Sequence, residues 1–351
     1  MKEKKNVRGK IFAMVAIGLV LIIVILGLLQ RLVMPKYMGE VKEGDLIGEY
    51  YDENKDFDVV FIGDCEVYEN FVPAVLWENY GINSYIRGSA QQLIWQSYYL
   101  AEETLAYETP DVIVFNVLAL QYNEPQKEAY NRMTIDGMRW SPSKVGSIQA
   151  SMMEDENFIE YVFPLLRYHD RWSALEKEDF TYLFGAEKVG HNGYYMQVGI
   201  EPVEYIPEGR RLGDYSFGDN AWSYMDKMVA LCEEKGVELV LIKAPSLYPE
   251  WYDEWDVQVE EYAAEHNLKY INFLECTEEI GLDYSTDTYD AGLHLNLYGA
   301  VKLTDYFGEY LVTECGLEDR RSEEALAAEW EVKLEHFYEQ KEELEAVEEE
   351  K

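Results

Sequence analysis

The stretch Phe57-Asp-Val-Val-Phe-Ile-Gly-Asp-Cys-Glu-Val-Tyr68 decides how the rest of this chain is read. Four apolar residues in a row, Val59 to Ile62, predict a strand buried on both faces, the pattern of a parallel sheet. Gly63 breaks the strand and delivers Asp64 and Cys65 into the loop at its carboxyl end. In open α/β sheets that is the end where ligands sit. A thiol there is placed to act if a base and an orienting acid converge on it.

Composition narrows the field. The chain has 351 residues, 48% of them hydrophobic, enough for one large core. Its net charge is -38, and no basic stretch lies beyond the N-terminus, which excludes the Lys/Arg clusters that phosphate backbones demand. The reading is no nucleic acid partner. The excess acid reads as a solvated surface. The His residues show no zinc-ligand spacing, and Asp283, Asp287 and Asp290 lack a calcium-loop spacing, so neither metal nor cofactor is implied.

The first residues set the topology. Lys2, Lys4, Lys5, Arg8 and Lys10 precede an apolar run from Ile11 to Leu29 of about 19 residues, long enough to span a bilayer. The positive charges place the N-terminus in the cytoplasm. Gln30-Arg-Leu-Val33 follows instead of a small-x-small cleavage site, which favours a retained signal anchor over a cleaved peptide. The expected layout is a cytoplasmic stub at 1–10, a transmembrane anchor at 11–33 and a linker at 34–56. An α/β domain at 57–315 and an acidic helical tail at 316–351 follow. Everything after about Tyr37 is expected outside the cell, on a single-pass cell-membrane protein. All four Cys (65, 232, 276 and 315) fall in that part; Cys232 reads as a buried small hydrophobe, and whether Cys276 pairs with Cys315 is open.

Along the exported part, strand and helix signals alternate. Pro73–Tyr80 reads as a helix ended by Gly81, Asn83–Arg87 as a strand, Ala90–Tyr107 as an amphipathic helix and Asp111–Val117 as a second buried strand. Such alternation means right-handed βαβ units and a mostly parallel sheet, a flavodoxin-like three-layer α/β/α domain. From about 122 to 218 the pattern changes to helices at Pro142–Met153 and Glu156–Arg167, rich in Arg and aromatics, then irregular His191-Asn-Gly-Tyr-Tyr. This reads as an insertion capping the active end of the sheet. The alternation then resumes with a helix at 220–235, a strand at 237–245, a helix at 251–266, a strand at 268–273 and a helix from Leu297. The tail from Arg320 has helical period at Leu326, Trp330, Leu334 and Phe337 and reads as a surface or partner-facing helix.

Four groups recur at strand ends or in the last loop: Cys65, Gly88, Asn116, and Asp290 with His294. In this order they resemble the SGNH (GDSL-like) hydrolase superfamily. Gly63-Asp64-Cys65 is similar to its first Gly-Asp-Ser block with Cys in the nucleophile's place. Gly88 is similar to the second-block glycine, Asn116 (with Asn123 as competitor) to the third-block asparagine, and Asp290…His294-Leu-Asn to the final block. The anchor, Gly-Asp-Cys-Glu-Val-Tyr-x-x-Phe, Gln91-Gln92 with Ser97-Tyr98-Tyr99, and His294-Leu-Asn-x-Tyr-Gly-Ala resemble the membrane-anchored branch of D-alanyl-lipoteichoic-acid transfer and polysaccharide O-acetylation proteins. The resemblance implies action on acyl groups of cell-envelope glycopolymers or their acyl carriers, often beside a membrane-bound O-acyltransferase.

The chemistry can be argued from the residues. Acyl transfer needs a nucleophile, a base within reach and a group that orients the base. Cys65 would attack an ester or thioester carbonyl, His294 would take or share its proton and later protonate the leaving alcohol, and Asp290 would fix the imidazole tautomer. The backbone N–H groups of Cys65 and Gly88 and the Asn116 amide would form the oxyanion hole. Ser246, after Lys243-Ala-Pro, is a second strand-end hydroxyl but reads as a turn residue. The competing expectations are a catalytically inactive protein of the same fold that binds polymer or scaffolds a membrane acyltransferase, and a cysteine peptidase or amidase.

Overall fold

The computed structural model describes residues 2–34, 46–181, 183 and 188–350. Five strands, Val59–Gly63 (β1), Ser84–Gly88 (β2), Val112–Asn116 (β3), Glu238–Lys243 (β4) and Lys269–Asn272 (β5), form one sheet. All neighbouring pairs are parallel, in the order β2-β1-β3-β4-β5. This is a doubly wound order, in which the chain reverses direction across the sheet beside β1. Gly63 lies opposite Gly88, and Asn116 opposite Ile242. The carboxyl ends of β1 to β4 therefore share one edge.

The side-chain alternation of the strands builds two cores. Val60, Ile62, Ile113, Phe115, Leu239 and Leu241 point to a face covered by helices Ile94–Tyr107, Asp219–Lys235 and Asp253–His266. Val59, Phe61, Val112, Val114, Val240 and Ile242 point to the other, covered by Pro73–Tyr80 and Leu297–Glu314. The fold is thus α/β, with helices on both faces of a parallel sheet. Gly81 and Gly236 end their helices in the left-handed conformation, at φ 69° and 70°, as their positions predict.

Four features differ from the sequence reading. The helix expected over 156–167 is two short helices, Phe158–Val162 and Leu165–Tyr168, because Pro164 cannot donate to the ladder. A further helix, Glu128–Gly137, precedes them. Residues 35–45 of the expected linker, with Tyr37, lie outside the described residues, but Leu46–Asp52 is helical and belongs to the core. Leu46, Ile47 and Tyr50 are fully buried there, and the Arg87 guanidinium stacks 4.0 Å from the Tyr50 ring centroid.

The acidic tail is the fourth difference. Glu324–Glu349 is one helix, and its Trp330 stacks on Trp77 at 5.4 Å and 7° while its indole N–H donates to Asn83 Oδ1 at 3.0 Å. Phe337 meets the His191 ring edge-on. Two large aromatics on one stripe seat this helix in the core of the domain, while its Glu-rich face remains in water.

Gly9–Val33 is a helix long and apolar enough to cross a membrane, and its apolar side chains are exposed along most of its length. All four cysteines are free, which answers the open pairing: Cys276 donates to Asn272 O at 3.6 Å, and Cys315 accepts from Lys269 Nζ at 3.7 Å.

Candidate active site

The site begins where β1 ends. Asp64 caps the short helix Cys65–Tyr68 by accepting from the Glu66 N–H at 3.2 Å. Cys65 is the first residue of this turn, so its own N–H has no intrahelical partner. The tight exit requires glycine on two strands. A Cβ at Gly63 would come within 2.4 Å of Val67 Cγ2, and one at Gly88 within 2.8 Å of Tyr68 Cδ1. Gly88 is thus the bed on which the Cys65 turn rests.

The other half of the site comes from the loop before the last domain helix. Asn296 caps that helix by accepting from the N–H groups of Tyr298 and Gly299. Ahead of it, Asp290 grips His294 twice: Oδ2 accepts from ring Nδ1 at 2.7 Å, and Oδ1 accepts from the backbone N–H at 2.8 Å. The four-residue spacing closes because Ala291 and Gly292 turn through φ 59° and 100°. Thr288 Oγ1 ties the loop, donating to His294 O at 2.8 Å and accepting from Gly292 N at 2.7 Å. Asn70 Oδ1, just after the Cys65 turn, accepts from Leu295 N at 2.8 Å and joins the two halves.

Asp290 on Nδ1 sets the direction of the imidazole, and buried Nε2 has no nitrogen or oxygen partner among the described residues. The Cys65 thiol engages the ring, and the two act on each other through charge and a side-chain hydrogen bond. Burial pushes the Cys65 thiol up to about 11, with His294 the main opposing influence. Burial alone would lower His294. The Cys65 sulfur, the Glu69 carboxylate and the Asp290 hydrogen bond overcome it and raise the imidazole well above its ordinary range.

Glu69 escaped the sequence reading. It is buried, its Oε2 lies 3.7 Å from His294 Nδ1, and it accepts a hydrogen bond from Tyr289, whose ring stacks on the imidazole. The signal was its place one helical turn after Cys65 in Cys-Glu-Val-Tyr-Glu69, the spacing that puts two side chains on one face.

Asn116 does something other than the expected oxyanion contact. Its Nδ2 donates to Asp64 Oδ1 at 3.2 Å and Glu66 Oε2 at 2.9 Å, and its Oδ1 accepts from Ala244 N at 3.3 Å. Both amide hydrogens are spent on carboxylates, leaving none for a substrate oxygen. Glu66 is paired in turn with Lys243, at 2.9 and 3.0 Å, both side chains buried. Burial and the neighbouring Glu66 raise the Asp64 carboxyl to about 7, against Asn116 and Lys243, which lower it. Lys243 could have been suspected as the one charge closing the apolar run Leu239–Ile242.

Asn123 binds Asn220 at the start of helix Asp219–Lys235, with its Oδ1 accepting from Asn220 N at 2.9 Å. Ser246 is buried, and its hydroxyl has no hydrogen-bond partner among the described residues. The next residue, Leu247, donates its N–H to Gly292 O at 2.8 Å, so the loop after β4 abuts the His294 loop.

The insertion divides in two. Its irregular stretch reaches the site: Tyr195 N donates to Tyr68 O, Leu297 N to Gln197 O, and Ala291 N to Glu201 O. The helix Pro142–Ser151 packs on Ile94–Tyr107, and the short helices over 165–181 pack on the end of the N-terminal helix. A separate cavity of about 520 Å³ runs along the C-terminal helix, lined by Lys188, His191, Trp330 and His336 and by none of Cys65, Asp290 or His294.

No protein-family model and no curated protein matches the chain. The fold and the arrangement of groups therefore stand on this chain's own residues.

Proposed function

We propose that the chain is a membrane-anchored, exported acyl-transfer enzyme of SGNH type, acting on ester-linked acyl groups of cell-envelope glycopolymers through Cys65, His294 and Asp290. One observation carries the reading: Asp290 holds Nδ1 of a buried histidine whose ring engages the Cys65 thiol, with no nitrogen or oxygen partner on Nε2 among the described residues. That is the division of labour a nucleophile, its base and the orienter require.

In the first step Cys65 Sγ attacks the ester carbonyl while His294 Nε2 takes the thiol proton. Collapse of the tetrahedral intermediate forms an acyl-thioester and returns that proton to the leaving alcohol. Water or an acceptor hydroxyl then attacks the thioester, activated by the same nitrogen, and regenerates the thiol. The oxyanion donors available are the backbone N–H groups of Cys65 and Gly88. Gly9–Val33 would hold the site at the outer membrane surface, within reach of a membrane-bound O-acyltransferase.

The test is trapping. The full chain in detergent, treated with p-nitrophenyl acetate and analysed by mass spectrometry, should carry one acetyl group on Cys65, and Cys65→Ala should carry none. Ester turnover that persists unchanged in Cys65→Ala, without any adduct in the wild type, would sink the proposal.

A second reading, a non-catalytic scaffold of the same fold, is favoured by the thiol pushed up to about 11 and by the engaged Asn116 amide. It predicts that Cys65→Ala retains a membrane acyltransferase partner as well as the wild type does, with no acyl adduct on either.

A further inference from the structure

The short helices Phe158–Val162, Leu165–Tyr168, His169–Ala174 and Lys177–Thr181 have no place in the chemistry, yet they hold a cluster the core does not use. Phe163, Leu166, Trp172 and Phe180 are 53%, 53%, 52% and 51% exposed, and Ile159 is 48% exposed. Large apolar side chains scattered singly over a surface need no explanation. Five within about 22 residues of chain, on and between helices of four to six residues, do call for one.

Their position supplies it. The segments over 165–181 pack against the end of the N-terminal helix, where Leu32 and Val33 are buried although the apolar residues before them are exposed. Arg171 Nη1 donates to Val33 O at 2.9 Å, capping a carbonyl at the end of that helix, and the guanidinium is paired with buried Asp179 at 3.4 Å. The apolar cluster is thus fastened at the C-terminal end of the helix Gly9–Val33. Tyr168, His169, Arg167 and Lys177 lie among the apolar residues. Aromatic rings interleaved with long cationic or amphipathic side chains suit the boundary between headgroups and acyl chains, because each has an apolar body and a polar tip.

We propose that residues 158–181 form a collar that lies in the membrane interface around the exit of the chain's own N-terminal helix, with Phe163, Leu166, Trp172 and Phe180 seated in lipid. The occupant of this apolar face is therefore the bilayer. The segment carries more acidic than basic residues, so apolar burial and not attraction to anionic lipid drives the seating. The collar fixes the orientation of the α/β domain over the membrane, which a single spanning helix by itself would leave free. The inference rests on Gly9–Val33 spanning a bilayer.

The test uses the full chain in nanodiscs of phosphatidylcholine, with and without acyl chains brominated near the headgroup. Tryptophan emission should be quenched more in the wild type than in Trp172→Phe, and Phe180→Trp in that background should restore a quenchable component. Equal fractional quenching in all three proteins would overturn the collar and leave this face to water or to a protein. Alkaline carbonate separates the two claims. A chain extracted from membranes overturns the spanning helix and the collar together, whereas a retained chain with unquenched Trp172 overturns the collar alone.

Discussion

Two clusters of ionisable groups flank Cys65, and they are built on opposite principles. In one, Glu66, Lys243, Asn116 and Asp64 satisfy each other: Lys243 donates to both Glu66 oxygens and to Ala244 O, and Asn116 bridges the two carboxylates. In the other, Asp290 holds Nδ1 of His294, while Nε2 has no nitrogen or oxygen partner among the described residues and the Cys65 thiol is what the ring engages. A saturated network fixes geometry, since every group has its partner and motion would break one. An unsaturated buried nitrogen costs stability unless something arrives to use it. The difference separates the floor of the site from its working edge.

The sharpest way to break the comparison is at Asp290. Asp290→Asn should keep the fold and lower ester turnover by about 10⁴, the scale seen when a triad histidine loses its tautomer control. Stopped-flow hydrolysis of an activated ester against denaturation midpoints checks it, and a large loss of stability with modest loss of rate would move Asp290 to the structural cluster. The reverse holds for Lys243. Lys243→Met strands the Glu66 carboxylate and should cost about 3–5 kcal/mol in urea unfolding. Lys243→Met with Glu66→Gln should recover most of that, as expected when the penalty is the unpaired charge.

The pH dependence sharpens the same contrast. In the proposed mechanism His294 must lose its proton to act as base, so its raised value should place the rise of kcat/KM above the ordinary imidazole range of about 6.5. Glu69→Gln removes one of the carboxylates that raise it, so the rise should move to lower pH. Linkage gives the corresponding stability signs. A histidine raised on folding stabilises fully below its unfolded value, and that stabilisation is lost as pH climbs through the folded value. Asp64, raised from 3.8 to about 7, stabilises the fold below the lower value and loses that contribution between the two. Asp64→Asn should therefore flatten the stability profile between about pH 4 and 7, measured by thermal melts across that range.

Much of this protein is legible from sequence because the signals are local. The apolar runs at Val59–Ile62, Val112–Phe115 and Leu239–Ile242 read as buried parallel strands, and Gly81 and Gly236 close their helices where the chain says they should. Asp290 and His294 share one short loop, so their pairing lies within reach of spacing arguments. Glu66 and Lys243 are 177 positions apart, and no periodicity links them; only the β3–β4 pairing and the turn after β1 bring the two together. The tail carried its apolar stripe in plain view, but a stripe does not say what it packs on, and Trp77 as partner of Trp330 is a tertiary fact. The strand order, the saturation of Asn116 and the direction in which His294 is left open were likewise decided by the assembled sheet. Local chemistry sets which residues can form a strand, a cap or a triad; the fold alone sets which of their hydrogen bonds are already taken.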